Sequence, residues 1–403
     1  MATGQYLSEL ASELVKRGHA VTVVTGRQAY DNRQITFPAR ENWGGVDIHR
    51  VYSTGYRKKT KWRRAVDFGS FIVSCCLRLA TLPRQDVVVA LTTPPLISFV
   101  GAWRARLWRS RFCYWVMDFN PDEAIAAGYL RAGSLPARVL EAMSRFGLRQ
   151  ANCIVALDRF MRDLIVAKGI GAEKISVIPP WSHDDEVRFD PAGRERFRKT
   201  HGLNRKFVVM YSGNHSPVHS LNTLQRAAEK LGGNPNIIFC FVGGGGEFAR
   251  IKEWAKTGKC NVLCLPYQPL GELSASLSAA DVHVVVMGEA MLGLVHPCKI
   301  YNILAVGAPV LYIGPKKSHV TEILDRTSQG YPWASCVHGG VDDVVNQIRR
   351  FTEESPKGSR RVPVEVTRDF TKGGLLERMI TELERSGSRA STGIRKEQIL
   401  PHI

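Results

Sequence analysis

Short apolar runs alternate with amphipathic stretches along most of the chain. Residues 6–17 put Leu7, Leu10, Leu14 and Val15 on one face at helical spacing. Gly18-His19 ends that helix, and 20–25 reads as a strand. Strands follow at 86–91, 112–117, 153–157 and 175–178, with helices at 135–149 and 159–168, until Pro179-Pro180-Trp181 closes this half. The pattern restarts with a strand at 207–211 and continues with a helix at 221–231 and strands at 237–242 and 262–265. A helix at 273–280, a strand at 282–287, a helix at 299–305 and a strand at 310–313 come next, then helices at 320–324, 341–353 and 374–383. Near-continuous apolar strands between helices predict parallel sheets covered on both faces. The fold class is therefore α/β, and 403 residues suit two domains. Their expected spans are 1–181 and 207–366, with a polar linker at 182–206, a closing helix at 367–384 and a polar, disordered tail at 385–403.

The chemistry gathers at 288–318. There an apolar strand runs into a Gly/Pro-punctuated loop, a short helix, a Gly-x-Pro turn at Gly307–Pro309 and another strand. Such a β-loop-α-β unit sets its loop at the carboxyl edge of a parallel sheet, where open α/β sheets bind ligands. A helix start there suits a phosphate, because its first amides lack partners and the helix dipole favours negative charge. Lys299 falls on that first turn and is expected to be exposed. Earlier in this half, the loop 212–219 follows one strand and Gly243-Gly244-Gly245-Gly246 follows another, where glycines would let backbone approach a ligand.

Gly293-Leu294-Val295-His296-Pro297-Cys298-Lys299, followed by Leu304-Ala305-Val306-Gly307-Ala308-Pro309-Val310, resembles a G-L-V-x-P-S-K loop and an L-A-x-G-x-P-V turn. These mark a branch of the retaining, nucleotide-sugar-dependent glycosyltransferases of family 4. That resemblance covers 4 to about 383 and implies a GT-B fold of two facing Rossmann-like domains. Cys298 replaces the motif serine. Leu294 and Asn302 stand where the broader family has two glutamates, and Asn214 and His219 where much of it has an Arg and a Lys that grip the diphosphate. A diphosphate would then rely on Lys299, a protonated His219 and the amides around 294–297. Pro266-Tyr267-Gln268-Pro269 resembles the family loop that holds the base. The stretch Trp115–Asp122 resembles a strand followed by D-x-x-P-E, so Asp118 either orients the acceptor hydroxyl and takes its proton or only caps a turn. Gly4 would lie in the glycine loop at the floor of the cleft.

The resemblance thus implies Lys299 and Asp118 as catalytic residues. It implies Gly213, Asn214, His219, Gly243, Gly244, Gly245, Tyr267, Gln268, Leu294, Val295, His296, Cys298, Asn302 and Gly4 as substrate-binding. The implied reaction moves a sugar from a nucleoside-diphosphate sugar, taken as a UDP-sugar, to a hydroxyl of a lipid-linked or oligosaccharide acceptor in bacterial envelope polysaccharide synthesis. No cofactor is expected, nor a metal, since the chain has no D-x-D motif. Two rivals stay open: a UDP-sugar 2-epimerase of the same fold, and a non-catalytic assembly partner.

Charge changes the picture of partners. Lys and Arg number 55 against 37 acids, a formal net charge of +18, so an anionic partner is expected. Between 50 and 111 basic residues are interleaved with Trp62, Phe68, Phe71, Ile72, Trp103 and Trp108, against only Asp67 and Asp86. That composition suits an anionic membrane surface, although a solvated basic face has the same content. Nucleic acid is disfavoured because no RNP, KH or zinc-finger pattern accompanies it. The nine cysteines include no C-x-x-C pair, which fits a reducing cytoplasm, with the protein peripheral on the inner face of the cell membrane. No secretory signal or spanning helix is expected from these residues, and the apolar run at 87–103 is broken by Pro94-Pro95.

The first domain is expected to be one strand short, because a Rossmann sheet begins with a central strand before its first helix and none precedes residue 6. The coding region upstream should encode about six apolar β-formers, burying three or four side chains at about 1.5–3 kcal/mol each. Restoring them should raise the melting temperature. An upstream sequence without such a run would defeat this expectation.

Overall fold

The structure, a computed structural model, describes residues 2–28, 36–54, 61–94, 96–183, 185–327, 330–354, 360 and 362–391. Two units divide the chain. One comprises Met1–Leu157, Met161–Ile178 and Leu376–Ile403, the other Asp158–Phe160 and Pro179–Leu375.

In the first unit the elements run α1 (Ala2–Lys16), β1 (Thr22–Gly26), β2 (Arg40–Trp43), β3 (Val46–Val51), α2 (Lys61–Thr81), β4 (Val87–Ala90), α3 (Ile97–Trp108), β5 (Arg111–Trp115), α4 (Asp122–Ala126), α5 (Leu135–Gln150), β6 (Cys153–Ala156), α6 (Arg159–Ala167) and β7 (Ile175–Val177). Strands β4-β5-β6-β7 form a parallel sheet in that order, and β1-β3-β2 form a separate one. The side chains of β6 are all buried, which is why its sequence reads as an unbroken apolar run. Strand β1 pairs with β3 and β4 with β5, and among the described residues no strand joins β1 to β4. Strands β2 and β3 form a hairpin whose ends pair Trp43 with Val46 across Gly44-Gly45. Both glycines have positive φ, 56° and 90°, as a two-residue turn matched to strand twist requires. That Gly-Gly signal was present in the sequence, and the expected strand list omits the hairpin.

The second unit continues with α7 (Pro191–Thr200), β8 (Phe207–Asn214), α8 (Asn222–Lys230), β9 (Ile237–Gly244), α9 (Phe248–Ala255), β10 (Val262–Leu265), α10 (Leu273–Ser278), β11 (Val282–Val286), α11 (Lys299–Ala305), β12 (Val310–Ile313), α12 (His319–Asp325), β13 (Trp333–Cys336), α13 (Val341–Glu354) and α14 (Val364–Thr367). Its sheet has the order β10-β9-β8-β11-β12-β13, and every pairing is parallel. The order reverses between β8 and β11, so the loops leaving these two strands flank the topological switch point of a doubly wound sheet. One face of the sheet packs on α8 and α13 through Leu224, Ala228, Val344 and Ile348, all essentially inaccessible to solvent.

Two spans differ from expectation. The stretch 182–206 contains α7, capped by Asp190, which accepts the Gly193 amide at 2.8 Å. Arg194 and Arg198 on α7 reach the two oxygens of Asp281 at 2.5 and 3.0 Å, and Asp281 also accepts the Val208 amide. A sequence rich in Arg looked like solvated linker, but its charges are spent on an acid that fixes the starts of β8 and β11. The last helix, α15 (Lys372–Ser391), runs past the expected start of the tail at 385, and 392–403 lie outside the described residues.

Candidate functional site

At the carboxyl ends of β8 and β9 the pairing continues through Gly213 with Gly243 and Asn214 with Gly244. Glycine is needed there because the chain packs on itself. A Cβ on Gly243 would lie 2.0 Å from the Gly213 carbonyl, and one on Gly245 2.2 Å from Asn214 Oδ1. The neighbour of Gly244 is the Tyr267 ring, where a Cβ would come to 3.0 Å. The His215 amide donates to the Gly244 carbonyl at 2.7 Å, and the Glu247 amide to the His215 carbonyl at 3.0 Å. Much of the glycine stretch therefore locks two loops together, and Gly246 alone of the four meets open space.

Against this floor sits Lys299, the first residue of α11. Expected to be exposed, its ammonium is buried. The Nζ lies 3.5 Å above the centroid of the Tyr211 ring, and a Cβ on Gly213 would stand 3.1 Å from it. No hydrogen-bond partner or carboxylate satisfies it. Burial without an anion pushes its pKa down to about 7. The same charge acts on its neighbours: burial first, and then Lys299, pushes His219 down to about 3. His219 is thus neutral rather than protonated, which corrects its expected role as a second cation. His215 is also neutral, pushed down to about 4 chiefly by burial.

The loop that carries Lys299 is tied down by its own chain. The Gly288 amide donates to the Val218 carbonyl, joining the two switch-point loops. The Leu294 and Val295 amides both donate to the Met291 carbonyl, and their side chains are buried, so these two amides do not face a ligand as expected. His296, expected to meet substrate, instead lies in a buried chain. Its Nδ1 donates to Asp158 Oδ2 at 2.7 Å, and its Nε2 accepts the Tyr301 hydroxyl at 2.6 Å. His319 stacks on it with centroids 3.8 Å apart, and burial keeps His319 neutral. Ligand atoms of Asp158, His296 and His319 lie within 4.8 Å of one another. The two rings are only 17° from parallel, so their in-plane lone pairs do not converge on one ion, and the trio works here as a hydrogen-bonded stack. Asn302 Oδ1 accepts the His183 amide at 3.3 Å, and Cys298 stands at the start of α11 without a side-chain capping bond.

Tyr267 is exposed beside Gly244, and Gln268 donates to the Pro266 carbonyl. In the first unit Asp118 follows β5, and its amide donates to Thr92 Oγ1 at 3.2 Å. Glu123, absent from the expected set, is pushed up to about 7 by burial and then by Asp118. Asp122, at the glutamate of the D-x-x-P-E pattern, pairs with Lys168 at 2.7 Å. Gly4, expected in a loop, lies inside α1 with open space around it. Asp158, Tyr211, Tyr301 and His319 were also missed. Of these only Tyr211, two residues before Gly213 on an apolar strand, had a local signal.

Two family models match this chain: a glycosyl transferase 4-like domain over 2–181 and glycosyl transferases group 1 over 193–362. The chain belongs to the GT-B glycosyltransferases. It is 28% identical over 318 residues, 75% of this chain and 77% of the other, to WcaI of Escherichia coli, described as a colanic acid biosynthesis glycosyl transferase. Among solved structures it is similar in fold to sucrose-phosphate synthase from Thermosynechococcus elongatus (TM-score 0.73, 14% identity, 96% and 94% covered). Anabaena HepE in complex with UDP is another (0.65, 14%, 94% and 95%). Glycosyltransferase activity follows for this chain, with the family's group 1 domain holding the loop of Lys299.

Because the Lys299 ammonium is buried without a counter-ion, Lys299→Met should leave the protein at least as stable as the parent at about pH 7 while turnover falls by roughly two orders of magnitude. The sign with pH follows from linkage. Between about 7 and the ordinary 10.5 the unfolded Lys holds a proton that the folded one has lost. Parent stability therefore rises through that window, and any advantage of the Met variant shrinks. Denaturant melts against pH, together with turnover rates, check both parts. Activity within threefold of the parent would remove Lys299 from the chemistry.

Proposed function

We propose that this glycosyltransferase moves a sugar from a UDP-sugar to a hydroxyl of a lipid-linked or saccharide acceptor, with retention and without a metal, in bacterial envelope polysaccharide synthesis. The observation that carries this reading is the buried, unpaired ammonium of Lys299 at the switch point. Burying such a charge costs several kcal/mol, a cost that an arriving diphosphate would offset. The name of the Escherichia coli relative supports the polysaccharide setting, and the UDP bound to Anabaena HepE supports the donor class. In the reaction the bond from the anomeric carbon to the β-phosphate oxygen breaks, and the acceptor oxygen bonds to that carbon on the same face. Lys299 stabilises the charge that grows on the leaving diphosphate. Asp118 orients the acceptor hydroxyl, whose proton passes to the leaving phosphate or to Asp118. Gly213, Gly243 and Gly244 hold the floor under the diphosphate, and Tyr267 and Gln268 flank the base.

A non-catalytic role is the second reading, favoured by buried Leu294 and by Asn302 bonded to the backbone, at the positions where the broader family has glutamates. Slow hydrolysis of UDP-sugars by the purified protein, followed as UDP release, separates the two. Release abolished by Lys299→Met supports the enzyme, and no release from any UDP-sugar favours the partner role.

Membrane association is part of the same proposal. No helix among the described residues is long and apolar enough to cross a membrane. Helix α2 exposes Val66, Val73 and Leu77 along one stripe, and α3, which packs on it, exposes Trp103 and Leu107. Arg57, Lys58 and Lys59 lie outside the described residues, while Lys61, Arg63 and Arg64 open α2. An apolar stripe beside a basic run suits an anionic bilayer surface. Replacing these six basic residues with Gln should release the protein from anionic vesicles, at about 1 kcal/mol each. Vesicle binding indifferent to both the substitutions and salt would count against this surface.

A further inference from the structure

A second basic feature of the first unit is independent of Lys299. Between the end of α3 and the starts of β5 and β6 lies a cavity of about 230 Å³ lined by three apolar residues of α3 and β5 and by Arg106, Arg109, Ser110, Arg111, Gln150 and Asn152. Each of the six polar side chains can donate a hydrogen bond, and no lining residue is acidic. Among the described residues no carboxylate pairs with Arg84, Arg106, Arg109 or Arg111. Arg84 instead donates to the Arg109 carbonyl at 3.4 Å, and Arg106 to Gln150 Oε1 at 3.3 Å. Ser110 Oγ and Arg111 Nε are buried with no partner. Asp86 accepts the Arg111 amide with its backbone carbonyl and does not line the cavity.

The backbone adds a second observation. Arg109 ends α3 with φ 53° and ψ 36°, the left-handed conformation that glycine takes at most such helix ends. An arginine kept there carries backbone strain that glycine would relieve, and an outlier of this kind supports a hypothesis of function. Arg106 is also one turn from exposed Trp103, so the cavity borders the apolar face of α3.

Resting on the membrane association proposed above, we propose that this cavity is a phosphate-binding site, which takes the phosphate of an anionic lipid headgroup when the protein lies on a bilayer. Three guanidinium groups and the amides of Gln150 and Asn152 supply charge-assisted donors for the phosphate oxygens, and Trp103 and Leu107 meet the acyl region. The site lies at the amino-terminal edge of its sheet, the edge opposite the one that carries Asp118 after β5. Its occupancy is therefore separable from glycosyl transfer.

The test uses the full chain with Arg109→Gly, which removes a guanidinium while relieving the backbone, and Arg106→Gln/Arg111→Gln as a second variant. Each is measured in a Lys299→Met background, so that phosphate at that lysine does not contribute. Inorganic phosphate is titrated calorimetrically, and flotation compares phosphatidylglycerol vesicles with phosphatidylcholine vesicles. The expected result is tenfold or more weaker binding to phosphatidylglycerol by Arg109→Gly, with a melting temperature equal to or above that of its background. Loss of inorganic phosphate binding with unchanged vesicle binding supports the site but assigns it to a soluble phosphate. Phosphate and phosphatidylglycerol binding unchanged in both variants, or absent from the parent, would overturn the proposal, whatever the outcome for UDP-sugars.

Discussion

The second unit is arranged around one uncompensated charge. Lys299 holds its ammonium over the Tyr211 ring with no carboxylate beside it. A desolvated cation–π contact returns about 2 kcal/mol, less than the several kcal/mol that burying a cation costs. The depressed pKa of about 7 records that deficit. What sustains it is rigid surroundings: parallel strands in an order that reverses between β8 and β11, glycines that let the Gly213 and Gly243 backbones touch, and a loop fixed through Gly288, Leu294 and Val295. That cost is relieved either by losing the proton or by an arriving anion, and in the proposed reaction a leaving group that gains negative charge would gain most from it.

The buried chain Asp158–His296–Tyr301 belongs to the same arrangement. Tyr301 is two residues beyond Lys299 on α11, so a hydrogen bond from its hydroxyl to His296 closes the loop onto the helix that bears the lysine. His319 covers the imidazole from α12. Where the broader family has acids, this chain has a buried Leu294 and an Asn302 whose Oδ1 accepts the His183 amide.

The sequence made the doubly wound architecture legible because buried parallel strands leave long apolar runs, and the loop from Gly293 to Lys299 was found through its motif. Hydropathy along the chain did not show where polar side chains would be buried. The first turn of a short helix looks exposed for Lys299 and the loop before α8 looks open to a protonated His219, whereas both groups are desolvated by burial in the fold. Arg194 and Arg198 suggested a linker because their partner, Asp281, lies more than eighty residues away. Asp158 was invisible for the same reason: it meets His296 only through the fold.

The role proposed for Lys299 requires it to be largely neutral above pH 7 until a diphosphate makes it a cation. Calorimetric titration of UDP at about pH 8 in buffers of differing ionisation enthalpy tests this by counting protons. With a starting pKa of about 7, the complex should take up roughly 0.9 proton per UDP, and Lys299→Met should abolish the uptake. UDP binding with no proton uptake, or with the same uptake in the Met variant, would contradict the account.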